Sequence, residues 1–222
     1  MSNDFKCQSL FSLNDTFIKG ILEKYERPWE IIPHIKDTIC TILDKGIDGY
    51  TLISDGVLVG KNVVISPTAH IDAPCIIRDG TEVRHGAFIR GSVIIGKRCV
   101  IGNSSEIKNS IIMDSVQLPH YNYVGDSILG EGAHLGAGVI CSNLRSDKQN
   151  VKIHSDGGLI DTGLRKLGAI LGDNVEVGCG AVLCPGTVIG KNTSVYPITM
   201  ARGSYPADSI IKSDGTVIQR HK

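Results

Sequence analysis

The chain has 222 residues with 23 basic and 23 acidic side chains, so its formal charge at neutral pH is zero. This balance argues against a protein that binds nucleic acid through charge, because such proteins carry a basic excess or stripe. The longest apolar runs fall well short of the roughly 18 residues that span a membrane, and the start, MSNDFKCQSL, lacks the apolar segment of a secretion signal. We therefore expect a cytoplasmic protein with seven reduced cysteines, built as one large domain with a small appendage.

Residues 1–50 are expected to form a short α-helical arm or cap ahead of the main domain. Asp15 is positioned to cap a first helix, and Pro28 and Pro33 precede a second helix that Gly46 would close. Both segments carry apolar residues at helical spacing: Phe17, Ile18, Ile21, Leu22 and Tyr25, then Ile35, Ile39, Ile42 and Leu43.

From Val59 to Ile107 every sixth residue is Val or Ile. The nine positions are Val59, Ile65, Ile71, Ile77, Val83, Ile89, Ile95, Ile101 and Ile107. A second register four residues later holds small side chains: Val63, Ala69, Cys75, Thr81, Ala87, Val93, Cys99 and Ser105. A period of six fits neither an amphipathic helix nor a half-buried strand. It is typical of a hexapeptide β-helix, a triangular prism with about 18 residues in each coil. We therefore predict an all-β, left-handed parallel β-helix with a short N-terminal α-helical segment.

The six-residue period is interrupted twice. The segment 113–123 is expected to be irregular, with stacking restored at Tyr123, Leu129, Leu135 and Cys141. The segment 142–166 is long and charged, and we expect it to leave the prism as a loop. The last array is Leu171, Val177, Leu183, Ile189 and Val195. We assign residues 51–200 to the β-helix and 201–222 to a C-terminal tail, and we expect function at the interruptions, since loops carry chemistry on rigid scaffolds.

Three side chains near the first interruption could perform chemistry. His120 is a candidate general base, although an exposed loop histidine is an equal interpretation. Arg90 and Lys108 each follow an inward aliphatic residue and lie 18 residues apart, so they should stack on one face of consecutive coils. Such a pair can clamp a phosphate. From spacing alone, two solvated surface charges are the simpler interpretation.

The same region resembles a known family. Phe88-Ile89-Arg90, Glu106-Ile107-Lys108-Asn109, His120-x-x-Tyr123-x-Gly125-Asp126 and the run from Leu135 to Asn143 are similar to the glucosamine-1-phosphate N-acetyltransferase domain, the C-terminal half of bacterial bifunctional UDP-N-acetylglucosamine pyrophosphorylase. The resemblance covers roughly residues 57–200. It implies acetyl transfer from acetyl-CoA to the amine of an amino-sugar phosphate, without a metal, in a homotrimer with active sites between the prisms. It implies no nucleic-acid or membrane partner.

The resemblance also implies roles for individual residues. His120 matches the catalytic base, and Asn143 matches a residue near the acetyl group and the amine. Arg90, Lys108 and Tyr123 match contacts to the sugar phosphate. Ala137 matches a backbone contact to acetyl-CoA, and Lys166 matches a lysine from the adjoining subunit. Backbone N–H groups beside Ala137 would stabilise the oxyanion.

Several positions depart from the family pattern. His134 stands in place of an asparagine that helps to bind the substrate amine. Leu144 replaces a tyrosine, and Cys179 replaces a serine that contacts the coenzyme. The tail from Tyr196 to Arg202 replaces a small-residue turn, where Arg202 is a candidate to compensate in coenzyme binding. No segment resembles the pyrophosphorylase half, so uridylyl transfer is not expected.

Two alternatives remain from the sequence, and a third is disfavoured. A hexapeptide acetyltransferase with another amine or hydroxyl acceptor would share the scaffold. A non-catalytic sugar-phosphate-binding trimer would account for the departures at the coenzyme positions. A γ-type carbonic anhydrase would need zinc-binding histidines five residues apart. No two of the seven histidines, at positions 34, 70, 85, 120, 134, 154 and 221, have that spacing.

Overall fold

The computed structural model of the chain describes residues 5–155 and 157–220. Residues 1–4 of the predicted arm, and residues 221–222 of the predicted tail with His221, lie outside the described residues. The helices are α1 (Cys7–Leu10), α2 (Thr16–Leu22), a 3₁₀ helix (Pro28–His34) and α3 (Ile35–Lys45). Asp15 caps α2 as predicted, because its carboxylate accepts from the backbone N–H groups of Phe17 and Ile18.

The strands are short and follow one another from residue 51 onward. In chain order the first are β1 (Thr51–Ser54), β2 (Val57–Val59), β3 (Val64–Ile65), β4 (His70–Ile71), β5 (Cys75–Ile77), β6 (Glu82–Val83), β7 (Phe88–Ile89), β8 (Val93–Ile95), β9 (Val100–Asn103), β10 (Glu106–Lys108), β11 (Ser110–Ile112), β12 (Gln117–His120), β13 (Tyr123–Gly125), β14 (Ile128–Leu129), β15 (His134–Leu135) and β16 (Ile140–Cys141). The rest are β17 (Lys152–Ser155), β18 (Gly158–Asp161), β19 (Ala169–Leu171), β20 (Glu176–Val177), β21 (Val182–Leu183), β22 (Thr187–Ile189), β23 (Ser194–Val195), β24 (Met200–Ala201), β25 (Ser204–Tyr205), β26 (Ser209–Ile211) and β27 (Val217–Gln219).

All of these strands except β17 and β18 form three sheets that are the walls of a prism. Sheet A has the order β1-β2-β5-β8-β11-β14-β19-β22-β25, sheet B the order β27-β26-β23-β20-β15-β12-β9-β6-β3, and sheet C the order β24-β21-β16-β13-β10-β7-β4. Strands of successive coils pair in parallel, and the antiparallel pairs β1–β2 and β26–β27 lie at the edges of sheets A and B. The predicted left-handed parallel β-helix is confirmed. The sheets continue through β24, β25 and β26, so the stack extends past residue 200.

The first interruption is a change in coil length and not an irregular loop. Cys75 pairs with Val93, 18 positions later, whereas Ile95 pairs with Ile112, 17 positions later. One residue is therefore lost and the walls stay intact. Two expectations are wrong as a result. His120 does not lie in an irregular loop, because it ends β12 within sheet B. Tyr123 does not take the inward stacking position, because Val124 points inward and Tyr123 is only half-buried.

The helical segment covers a side wall of the prism. In the seven strands of sheet A from β2 to β22, one residue of each strand points outward, and these residues are aliphatic and buried. They pack with helix residues that include Ile31, Ile35 and Ile39 in one apolar cluster. This segment therefore lies along sheet A, and the edge of sheet A in the first coil is covered by β1.

The second interruption leaves the stack as predicted. After Ser142 the chain forms an antiparallel hairpin from β17 and β18, and it rejoins sheet A where Leu171 pairs with Leu129. The seven cysteines are free thiols, of which Cys75, Cys99 and Cys141 lie in the prism core. Burial raises the pKa of the Cys141 thiol to about 12. None of the described helices has the length and apolar character needed to cross a bilayer.

Candidate active site

Arg90 and Lys108 are neighbours at the ends of β7 and β10. Ile89 pairs with Ile107, so the residues that follow them lie side by side, as the 18-residue spacing predicts. Each cation faces a carboxylate: Arg90 Nη1 is 2.7 Å from Glu106 Oε1, and Lys108 Nζ is 3.7 Å from Asp126 Oδ2. The hydrogen bond to Glu106 raises the pKa of Arg90. The two cations are therefore already balanced by two anions.

Asp126 is the centre of a polar ladder. It is only 4% exposed. Its Oδ1 accepts a hydrogen bond from Asn109 Nδ2 at 2.8 Å, and its Oδ2 accepts another from Asn143 Nδ2. Asn109, Asp126 and Asn143 occupy equivalent positions in consecutive coils, 17 residues apart. No role was predicted for Asp126 from the sequence, and this 17-residue repeat of polar residues is the signal that would have indicated one.

Tyr123 connects to the ladder through Asn143. Asn143 Nδ2 donates to Tyr123 Oη at 3.3 Å. This approach needs a glycine at position 125, because a Cβ there would lie 2.6 Å from Asn143 Nδ2 and 2.7 Å from Tyr123 Oη. Burial is the main reason that the pKa of Tyr123 is raised. Lys108, Tyr123 and Asn143 are thus brought together around Asp126, with Arg90 next to Lys108.

His120, Ala137 and Cys179 stack at one corner of the prism, between sheets B and C. The carbonyl of His120 accepts from Gly138 N at 3.1 Å, and the carbonyl of Ala137 accepts from Gly180 N at 2.8 Å. These bonds make the three residues equivalent positions of successive coils, about 4.8 Å apart. The imidazole of His120 is exposed and has no hydrogen-bond partner among residues 5–155 and 157–220. The predicted base and two predicted coenzyme contacts therefore share one edge.

The corner and the ladder lie at opposite ends of sheet C. His120 precedes β13, and Gly125 at the end of β13 pairs with Lys108. Extended backbone spans about 3.3 Å per residue, so the six residues from His120 to Asp126 place His120 at most about 20 Å from the ladder. No hydrogen bond within the described part of the chain joins His120 to Arg90 or Lys108. The candidate site therefore spans the width of one wall.

Three predicted residues lie apart from these two groups. His134 is on sheet B, where its Nδ1 lies 2.8 Å from Glu176 Oε2. Lys166 forms an isolated bridge with Leu144 at the base of the hairpin, next to Asn143. Arg202 follows β24 and lines a cavity against the hairpin. Among the described residues, no group of three His, Cys, Asp or Glu side chains is arranged to hold a metal ion.

The fold defines a class, the hexapeptide-repeat prism proteins. A solved structure of a UDP-N-acetylglucosamine acyltransferase from Campylobacter jejuni is similar to this chain with a TM-score of 0.57 and 18% identity, covering 71% of this chain and 60% of that one. At this identity the likeness concerns the fold alone.

The family follows from the sequence matches. Residues 71–192 match the GMPPB C-terminal domain, and the chain belongs to that family. A "Bifunctional protein GlmU" from Methanococcus maripaludis is 32% identical over 214 residues, which is 95% of this chain and 52% of that protein. A "Bifunctional sugar-1-phosphate nucleotidylyltransferase/acetyltransferase" from Sulfurisphaera tokodaii is 42% identical over 91 residues, 41% of this chain and 23% of that protein.

These matches confirm the predicted resemblance to bifunctional sugar-nucleotide enzymes with an acetyltransferase half. This chain spans about half or less of the length of the two relatives. Acyl transfer is the class of reaction that the names of the relatives indicate.

Proposed function

We propose that this protein transfers an acetyl group from acetyl-CoA to the amine of an amino-sugar phosphate similar to glucosamine 1-phosphate. The observation that carries the proposal is the ladder around Asp126, which holds Lys108, Tyr123 and Asn143 together beside Arg90 on the wall that begins at His120. Cationic and hydrogen-bonding groups held in fixed positions are suited to bind a phosphorylated sugar and to orient its amine.

His120 is the general base in this proposal. An amine near neutral pH is mostly protonated, so it becomes a nucleophile only after a base removes a proton. The nitrogen lone pair then attacks the thioester carbonyl and a C–N bond forms. The C–S bond breaks, the departing thiolate takes up the proton held by His120, and the second proton that the nitrogen loses passes to solvent. The exposed imidazole at a corner of the prism is accessible for this exchange.

The corner of His120, Ala137 and Cys179 fits the coenzyme. Ala137 and Cys179 have small side chains, and each lies between two glycines, Gly136 with Gly138 and Gly178 with Gly180. This narrow strip of backbone suits a thin pantetheine arm, and N–H groups at the corner would stabilise charge developing on the carbonyl oxygen.

Assembly as a homotrimer completes the proposal. Apolar side chains are exposed on and beside sheet C, with Ile198 76% and Met200 71% exposed. Adjacent apolar residues of this kind mark an interaction surface. The resemblance implies that a second copy on this wall would contribute its Lys166 to the site. Light scattering after gel filtration tests the stoichiometry, and a monomer at micromolar concentration would contradict it.

A different acceptor is the second candidate. The pairs Arg90–Glu106 and Lys108–Asp126 leave the cluster without net charge, which favours an acceptor lacking a free phosphate monoester. The cluster would then bind sugar hydroxyl groups through hydrogen bonds.

One assay separates these candidates. Free-thiol release from acetyl-CoA is measured with amino sugars and their 1-phosphates as acceptors. We expect a higher kcat/KM for the phosphorylated forms. A preference for the unphosphorylated sugars would support the second candidate. If acetyl-CoA neither reacts nor raises the melting temperature at saturation, acetyl transfer is excluded, because a bound ligand must stabilise the fold.

A further inference from the structure

The two ends of the prism differ in how well they are covered. At the last coil the inward residues are at most 3% exposed, and β27 pairs with β26 at the end of sheet B. At the first coil β3 and β4 are the terminal strands of sheets B and C, and each is paired on one side only. The inward residues of this coil are partly exposed: Val63, Ile65, Ala69 and Ile71. The prism is therefore open at its first coil.

Strand β1 extends sheet A beyond this open end. It pairs with β2 on one side, and all four of its residues are exposed. No hydrogen bond from elsewhere in residues 5–155 and 157–220 reaches Thr51–Ser54. Because the strands stack along the prism axis, the free edge of β1 faces along that axis and away from the prism. An exposed edge of this kind is a template for pairing with another strand.

Leu52 continues the outward aliphatic column of sheet A. It lies opposite Leu58, an outward residue that is only 6% exposed, and opposed residues point to the same face of a sheet. Leu52 itself is 56% exposed, so the helices end short of it. A further strand beside β1 would cover this side chain and continue the column.

The charges around β1 complement themselves. Two copies of one strand that pair in antiparallel fashion are related by a twofold axis, so identical surfaces meet. Gly49 and Asp55 lie three residues before and after Leu52, so Gly49 would face Asp55 of the second copy when Leu52 faces its own counterpart.

A free cation lies at the position that this arrangement requires. A Cβ on Gly49 would be 3.3 Å from Lys61 Nζ, so this ammonium group lies beside Gly49. Lys61 and Asp55 take part in no ion pair within the described part of the chain. The twofold axis would therefore bring each Lys61 towards Asp55 of the other copy.

We propose that two copies of this protein associate end to end by antiparallel pairing of their β1 strands, with Leu52 facing its own counterpart and Lys61 facing Asp55. A second copy is favoured over a strand of another protein, because the apolar side chain and the two charges all fit themselves under one twofold axis. In the proposed homotrimer, three such pairs would join two trimers with their prism axes aligned. This association is independent of the proposed acetyl transfer.

Sedimentation velocity at micromolar concentration tests the pairing. Leu52→Asp should halve the mass of the wild-type particle, because two carboxylates would meet on the twofold axis in place of two apolar side chains. Leu52 is exposed in a single copy, so the variant should fold normally. Leu159→Asp is the matched control, because Leu159 is 58% exposed on β18 in the hairpin, and this variant should keep the wild-type mass.

A charge exchange tests the register. Asp55→Lys and Lys61→Asp each place like charges together at two symmetric positions, so each should raise the dissociation constant roughly tenfold. The double variant exchanges the two charges and should restore the wild-type mass. A wild-type mass equal to that of Leu52→Asp would overturn the proposal and leave the edge of β1 for a strand of another protein. A double variant no better associated than either single variant would overturn it as well.

Discussion

The outer faces of sheets A and C differ, although their inner faces are nearly alike. Both walls present Val, Ile and Leu to the prism core. Outside, sheet A carries a buried aliphatic column of Leu58, Ile76, Ile94, Ile111, Ile128, Ile170 and Val188. The corresponding column of sheet C is His70, Phe88, Glu106, Tyr123, Ile140, Val182 and Met200. The inward register therefore specifies the prism, and the outward register decides whether a wall is covered by the helices or left uncovered.

This contrast predicts that a substitution on the outer face of sheet C or at its corner can lower the activity of the protein without lowering its stability. His120→Ala should lower kcat roughly 10²- to 10⁴-fold, the usual contribution of a general base. The melting temperature should not change, because the imidazole is exposed. Initial rates of thiol release with saturating acetyl-CoA measure the effect.

His85→Ala is the matched control for His120. Ser104 N donates to the carbonyl of His85 and Tyr121 N to that of Asn103, so His85 occupies the same corner two coils earlier. Its Nδ1 lies 2.7 Å from Thr68 Oγ1, away from the candidate site. Wild-type turnover in His120→Ala, or an equal loss in His85→Ala, would remove His120 as the base.

Sheet A should behave in the opposite way. Ile94 is fully buried between the wall and the helices. Ile94→Ala should lower the free energy of unfolding by about 2–5 kcal/mol, because it removes buried methylene groups and leaves a cavity. The KM values of the folded protein should not change. Urea denaturation measures the loss, with Ile53→Ala as the control.

Ile53 is the same residue type in the same sheet and is 52% exposed. Its substitution should change the free energy of unfolding by no more than about 0.5 kcal/mol. If the two variants were destabilised equally, the helices would not protect sheet A and the contrast between the walls would fail.

The prism could be predicted from the sequence because one inward residue in six is a strong and local signal. Placing the helices needed a second pattern, the aliphatic residue in the middle of every third strand, such as Ile76 and Ile94, 18 residues apart. Those residues lie next to inward aliphatic residues, so the six-residue period hides them. For this reason the sequence predicted an arm or a cap and did not indicate which wall of the prism the helices cover.

The candidate site was only partly predictable. The 18-residue spacing places Arg90 beside Lys108 correctly. The loss of one residue from the later coils shifts the outward positions, which is why Tyr123 was expected to point inward. Glu106 and Asp126 were not recognised as partners of the two cations, because a carboxylate 16 or 18 residues away is adjacent only when the coil length is known.

The anchor between the helices and the prism is a charged contact. Arg78, 5% exposed, makes two hydrogen bonds to the Asp15 carboxylate, at 2.8 and 3.0 Å. Asp15→Asn should lower the free energy of unfolding by about 1–3 kcal/mol, since it weakens bonds to a buried charge and keeps the helix cap. Glu23→Gln is the control, because it removes the exposed pair with Lys19 and should change stability by no more than about 0.5 kcal/mol.

The effect of Asp15→Asn should depend on pH. Partial burial is the largest single influence on Asp15 and raises its pKa, but the hydrogen bonds from Arg78 and the Ile18 N–H, together with the charges of Arg78 and Lys97, lower the pKa from 3.8 to about 2. A carboxyl group with a lowered pKa contributes its full stability above its unfolded value and loses it as the pH falls through its folded value. The difference between wild type and variant in urea midpoint should thus be constant from pH 7 to 5 and shrink between about pH 4 and 2. A difference independent of pH would contradict the ion pair as its cause.

The smallest effect on stability is expected for Glu106→Gln. This variant tests whether the cations on the outer face of sheet C bind a phosphate group. Glu106 and Arg90 are both partly exposed, so the fold should tolerate the loss of their pair. If the cations bind a phosphate, the substitution removes a competing carboxylate and should lower KM for the phosphorylated acceptor.

Glu82→Gln tests whether that result is specific to sheet C. Glu82 pairs with Arg84 at 2.9 Å on sheet B with similar exposure, and its loss should leave every KM unchanged. A higher acceptor KM in Glu106→Gln alone would mean that Glu106 orients Arg90 or contacts the acceptor itself. The outer face of sheet C would then recognise a neutral sugar, because its anions would be needed for binding as much as its cations.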